Sequence, residues 1–383
     1  MNINEAWIAT EARLLHEADS MAELLVRIKP HISARLIDGQ AWERLLERAE
    51  ETPATMAAFP FGFEIPLQDP APRADFGVSL VGNSRTAALY QERTRAGEAS
   101  PSAAGLAWLL DETDREDSLL RRVIGRKMLL EYDIDPSPGN KQQDPGVFLY
   151  PVEGALAGDG RQVRELGAVH DALAHACGWS SIASERLQLE RVYRMLEPDT
   201  LIKAVGAFPA RERAIRIAAT GFKTAPRVTA FLERVGWPGD GAAAGATVSF
   251  FEERSAFAYM GVHLDIDANG VGPSLGLSLF PNDNEWLKDI RHWIAIIDVI
   301  GERGYGLSEK LAELARWSTG STTLFGRAGP FMLVRGIHHI KLAIREDRVE
   351  QAKGYVFFLM MCVQPKGGTA AKQTSRQLPE QAC

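Results

Sequence analysis

Cysteine is scarce: Cys177, Cys362 and Cys383 are the only three in 383 residues. They are too few and too scattered for a disulfide framework or a CxxC-type metal site. A basic excess is missing as well, with 43 Lys and Arg against 50 Asp and Glu and a formal charge of −7. That balance excludes the electrostatic footprint of a general nucleic-acid binder or of a protein that coats anionic membranes. Long apolar runs are absent too: the stretch Val356 to Val363 is typical of the longest and falls well short of the ~20 residues a spanning helix needs. The N-terminal stretch MNINEAWIATEARLLHEADSMAELL has acids where a secretion signal needs a basic start and an unbroken apolar segment. The expectation is a soluble, reduced, cytoplasmic protein with no nucleic-acid and no membrane partner. With 45% hydrophobic and 24% charged residues, the chain has the make-up of a globular protein with a sizeable core.

What is present is an alternation of helix with paired strands. The first 50 residues read as helix, with Ala6, Ile8, Leu14, Leu15, Met21, Leu24 and Leu25 at near-helical spacing. FPFGFEIPL (59–67) then sets Phe59, Phe61, Phe63, Ile65 and Leu67 against Gly62 and Glu64, and ADFGVSLVG (74–82) alternates in the same way. Helical segments follow around 103–112 and 116–129. Further strand pairs fall at 129–135 with 146–152, 202–208 with 214–222, 255–267 with 273–280, and 331–346 with 352–362. Helices are expected at 160–177, 184–196, 225–235, 284–300 and 308–317, and Asn269-Gly270 is a hairpin-turn signal. Two strands per helix argue for antiparallel pairing, since parallel α/β folds alternate one with one. The expectation is therefore α+β: a single domain over 1–364 with five hairpins and about ten strands, followed by a disordered tail over 365–383.

One face of these strands is polar. Strand 257–267 sets Met260, Val262, Leu264 and Ile266 against Tyr259, His263, Asp265 and Asp267. Strand 331–345 sets Ile340, Leu342 and Ile344 against Arg335, His339, Lys341 and Arg345. An open sheet with one wet face would read this way. So would a closed antiparallel barrel with helices outside and a polar lumen, which also removes the edges of a ten-stranded sheet. The barrel is the reading adopted.

At this point the chain resembles the ABBA-type aromatic prenyltransferases, whose barrel is built from αββα units. The resemblance is one of element order over about residues 1–362. FPFGFEIPL looks like the stretch that bears the catalytic glutamate in fungal indole prenyltransferases, and IHHIKLAI and AKGYVFF look like their late Lys- and Tyr-bearing strands. It implies a transferase of secondary metabolism that moves a prenyl group from an isoprenyl diphosphate to an aromatic acceptor, a small molecule or a peptide. No cofactor is then needed, and magnesium is not required. Glu64 would be the catalytic base, and inward Arg, Lys and Tyr residues would hold the diphosphate. GVSLVG and PSLGLSLF carry no basic or tyrosine residue at comparable places.

The residues also speak for themselves. His339 and Lys341, two apart on a strand, would sit roughly 7 Å from each other, close enough to share a phosphate. Arg335 belongs to the same parity row. Lys203, Arg216 and Tyr355 are candidates to extend it, although the isoleucines around Arg216 suggest an ordinary surface charge. Tyr355 would suit an aromatic shield that protects a carbocation by cation–π attraction, and Tyr259 and His263 are further substrate-binding candidates. Glu64, opposite a wall of phenylalanines, is expected to have a raised pKa suited to a general base. His338 and His339 should point to opposite faces and not share an ion; Asp133 and Asp135 could bind a divalent cation, but EYDIDPSPGN is also a plain strand-to-turn transition, and no structural metal is expected.

Two alternatives stay open. His263-Leu264-Asp265 with the late Cys362 is similar to the pentein enzymes, which implies modification of a guanidino substrate. A non-catalytic binding protein on a repurposed barrel is the other.

Overall fold

Strict alternation along each strand leaves every strand with one greasy face, and that face must be covered. In the computed structural model, which describes residues 3–96, 101–134, 144–281, 290–317 and 320–363, helices cover it. The strands are β1 Phe61–Pro66, β2 Asp75–Val81, β3 Lys127–Tyr132, β4 Gly146–Leu149, β5 Leu201–Ala207 and β6 Ile215–Phe222. They continue as β7 Tyr259–Asp267, β8 Gly270–Phe280, β9 Gly320–Gly326, β10 Gly329–Arg345 and β11 Arg348–Cys362. Neighbours pair in chain order from β1 to β8, then β8 pairs with β10, β10 with β11, and β11 returns to β1. Every pairing is antiparallel, and the ring of ten strands is closed. The barrel expected from the polar strand faces is the architecture found, ringed by helices.

Three local expectations are corrected. The last unit is not a simple hairpin: β9 pairs with the first part of β10 (Gly329–Arg335), while Ile340–Arg345 of the same long strand pairs with β8. Gly241–Glu252, which carries no clear hydrophobic period, is a helix. It is capped by Asp240, whose carboxylate accepts from the N–H groups of Ala242 and Ala243 at 2.8 and 3.0 Å. The β7–β8 turn is Ala268-Asn269 and not Asn269-Gly270. Gly270, at φ +134°, already pairs with Asp267, whose carboxylate accepts from Asn269 N–H at 2.6 Å. The tail 365–383 and the start of the 284–300 helix lie outside the described residues.

The core lies between barrel and helices. Phe61, Phe63, Phe76, Val78, Leu130, Ile217, Val262, Leu277, Leu342 and Phe358 all point outward into it. There they meet the buried faces of helices such as Arg291–Glu302, through Trp293, Ile296 and Ile300. The opposite parity lines the lumen. Part of that lumen is filled by a separate apolar group of Phe148, Ala204, Phe208 and Ala218, with Leu129 and Tyr150 against it. Among the described residues no helix is long and apolar enough to cross a membrane.

Candidate functional site

Barrel register decides which polar side chains meet. Glu64 on β1 lies opposite Tyr355 on β11 and Asp75 on β2. Its carboxylate accepts from the Lys353 ammonium on one oxygen and from the Tyr355 hydroxyl on the other. Lys341 lies opposite Lys353 and Ser278. Farther round, Arg216 on β6 holds Asp265 on β7 through two bonds of 2.7 and 2.8 Å. His263 shares a 2.8 Å hydrogen bond with Ser278. Gly276 on β8 makes room for the long lysine: a Cβ there would sit 2.6 Å from Cε of Lys341. The residue that looked like a missing ligand in PSLGLSLF is the groove in which Lys341 lies.

An aromatic row crosses four strands and ends at Glu64. Tyr259 stacks on Phe280 at 4.7 Å and 6°, Phe280 neighbours His339 at 5.6 Å, and His339 stacks on Tyr355 at 3.9 Å and 16°. Tyr355 then donates to Glu64.

The charges shift one another. Burial alone would raise the Glu64 carboxyl, but the charges of Lys353 and Lys341, with the bonds from Lys353 and Tyr355, hold it down at about 2. The expected raised pKa is thus reversed: Glu64 is an ionised carboxylate. Burial and then the Glu64 charge push Asp75 and Glu131 up to about 7. Burial and Arg216 bring Lys341 down to about 8. Burial, with Lys341 and Arg216, lowers His263; His339 is lowered by burial and then by His338, His263 and Lys341. Burial and the Glu64 charge raise Tyr355, which keeps its proton and donates it.

A raised carboxyl has a stability consequence. Folded Glu131 keeps its proton between its ordinary 4.5 and about 7 while the unfolded chain releases it, so stability falls as pH rises through that window. Glu131→Gln should therefore raise the melting temperature at pH 8 and change it little at pH 5. Equal shifts at both pH values would show that burial of charge is not the cause.

Of the expected site residues, the structure brings Glu64, His263, His339, Lys341, Tyr355 and Tyr259 to the lumen face. Arg335 is not among them. A register shift between Ile337 and His339 swaps the parity of β10, so Arg335 lies opposite the core residue Phe358. Its guanidinium donates to the carbonyl of His31 at 3.1 Å and lies over Trp317 at 5.6 Å. Arg345 is exposed at the strand end, and Lys203 is exposed at a shift in β5. Arg216, read as a surface charge, is a lumen residue: Ile215 and Ile217 face the core, which turns the residue between them inward. Lys353, Asp75 and Glu131 were missed, although Lys353 shares the parity of Tyr355. Cys362 packs on the core side at the far end of β11, opposite Phe331, so among the described residues no cysteine joins His263 and Asp265. Asp133 is held by Arg211, and Asp135 lies outside the described residues. Among the described residues no three His, Cys, Asp or Glu side chains group as they would around a metal ion.

No family model matches the chain, and neither does any curated protein. Solved structures similar to it include 6-dimethylallyltryptophan synthase from Micromonospora olivasterospora, in complex with DMASPP and Trp. That likeness has 13% identity over 78% of this chain and 81% of the other, with a TM-score of 0.44. The apo prenyltransferase PriB is similar at 15% identity over 92% and 95%, TM-score 0.49. 5-Dimethylallyltryptophan synthase from Streptomyces coelicolor is similar at 14% over 83% and 91%, TM-score 0.44.

Proposed function

We propose that the lumen binds an isoprenyl diphosphate beside a flat aromatic acceptor, a small molecule or a peptide side chain, and transfers the prenyl group to it. The observation that carries this reading is the stacked row Tyr259, Phe280, His339 and Tyr355 ending at the ionised Glu64. A flat acceptor can pack against such a row of rings, and their faces stabilise an allylic cation. Lys341 is the lumen cation that makes no ion pair among the described residues, and it is placed to take the diphosphate charge as the carbon–oxygen bond breaks. The new bond forms between the allylic carbon and the acceptor ring, and the ring proton passes to the carboxylate of Glu64. A cationic ring intermediate is acidic enough to give its proton even to a weak base. The reaction belongs to secondary metabolism in the cytoplasm on this reading, and none of its steps calls for a metal.

A second reading, a non-catalytic binding barrel, is favoured by the charge inventory. Glu64, Asp75, Glu131 and Asp265 face the lumen against Arg216, Lys341 and Lys353, and two of those three bases are already paired.

Calorimetry with a non-hydrolysable prenyl diphosphate separates the two. Lys341→Ala should weaken binding by about 1.5–3 kcal/mol, as loss of a charge-assisted bond does, and Arg345→Ala by less than about 1 kcal/mol. Binding should also weaken as pH rises through about 8, where Lys341 loses its proton. No binding by the unmodified protein overturns the transferase reading and leaves the second.

A further inference from the structure

Core-facing Met128, Leu130 and Tyr132 turn the alternate residues of β3 inward, so Glu131 enters the lumen. Its partners across both ladders are glycines, Gly77 on β2 and Gly146 on β4, and neither offers it a side chain. The other acids that face inward all have donors. Glu64 takes Lys353 and Tyr355, Asp75 takes the N–H of Ile134 at 2.9 Å, Asp133 takes Arg211, and Asp265 takes Arg216. Glu131 makes no hydrogen bond and no ion pair among the described residues. The cations that act on it are Lys341 on β10, Arg216 on β6 and Arg211 in the β5–β6 turn. Phe208 brings two of them to its side: a Cβ on Gly146 would sit 2.5 Å from that ring, which carries the Arg211 guanidinium at 3.7 Å and that of Arg216 at 5.3 Å. An ionised carboxylate here would repel any anion that these cations hold. A neutral carboxyl instead carries one O–H and becomes a donor. Burial and then the Glu64 charge favour that neutral form.

We propose that Glu131 is a ligand of the diphosphate, its carboxyl O–H donating to a phosphate oxygen of the anion that Lys341 holds. This role rests on the transferase reading and adds a condition to it: the donor binds while Glu131 carries its proton. A carboxylic acid kept neutral by its surroundings so that it can donate is an established device in enzyme sites. The groups that face Glu131 are Glu64 from β1, Tyr150 after β4, Arg211 and Arg216 from the β5–β6 hairpin, Lys341 from β10 and Tyr355 from β11. An incoming anion adds negative charge beside Glu131 and tightens its hold on the proton. Above about pH 7, binding therefore draws a proton from solution, and affinity falls as pH rises.

The test is calorimetric titration of the full chain with dimethylallyl S-thiolodiphosphate at pH 6.0 and 7.5, on the unmodified protein, Glu131→Gln and Glu131→Ala. Glutamine keeps a donor at the same place and cannot ionise. Relative to Glu131→Gln, the unmodified protein should lose about three- to fourfold in affinity between the two pH values, as a group at about 7 does when only its protonated form binds. Taking the ratio cancels the titration of the ligand and of Lys341. Glu131→Ala removes the donor and should bind about tenfold more weakly than Glu131→Gln at pH 6.0. A ratio that does not change with pH would overturn the proposal, and it needs only the glutamine variant. Equal affinities of the two variants at pH 6.0 would overturn it too, since Glu131 would then be a charge that the anion merely tolerates. Absence of binding by the unmodified protein is a different failure: it overturns the transferase reading and takes this role with it.

Discussion

On the proposed transferase reading, Glu64→Gln should lower the rate of prenyl transfer by roughly 10²–10⁴-fold, the range that loss of a positioned base typically costs. Glutamine keeps the shape of the side chain but cannot take the ring proton. Affinity for a diphosphate analogue should tighten at the same time, because Lys353 loses its counter-charge. Steady-state rates and calorimetry on the same preparation read both effects. A rate within tenfold of the unmodified protein would remove Glu64 from the chemistry. The same carboxylate ties stability to acid. Its pKa falls from 4.5 to about 2 on folding, so its contribution is complete above 4.5 and is lost as pH falls toward about 2. The variant should therefore differ least from the unmodified protein at the acid end of that window.

Phe358→Ala should cost about 3–5 kcal/mol of folding stability, as large-to-small changes of a buried aromatic do. Phe358 is fully buried and is ringed by Phe61 at 5.7 Å, Phe63 at 6.1 Å and Trp317 at 5.8 Å. Its strand, β11, closes the barrel by pairing with both β1 and β10. A cavity at that seam loosens the core where the first and last strands of the ring meet. Urea unfolding followed by tryptophan fluorescence measures it, and a loss under about 1.5 kcal/mol would mean that the seam repacks freely.

Much of the candidate site was legible because strand side chains obey a period of two. Glu64 stands out opposite Phe61 and Phe63, and Tyr259 and His263 opposite Met260 and Val262, in the sequence itself. Lys341 and Tyr355 follow by the same count from their core-facing neighbours. The helix that carries Trp293, Ile296 and Ile300 is likewise plain from its spacing. Arg335 fails because parity is preserved only while a strand is regular, and one bulged residue resets it. Arg216 fails for a different reason: its isoleucine neighbours suggest its surroundings, whereas adjacent residues on a strand point to opposite faces.

The sequence by itself determined that paired strands alternate with helices, that each strand has one apolar and one polar face, and which local residues share a face. These are properties of neighbouring residues along one chain segment. Only the tertiary structure decided that the sheet closes, since closure depends on β11 finding β1 across nearly 300 residues of chain. It alone set Lys353 and Tyr355 against Glu64, paired Arg216 with Asp265, and let Lys341 lie over Gly276. Each of those contacts joins different strands, and with them go the charge states. A carboxyl whose burial would raise its pKa is instead held at about 2 by two lysines that the fold brings to it from strands at the other end of the chain.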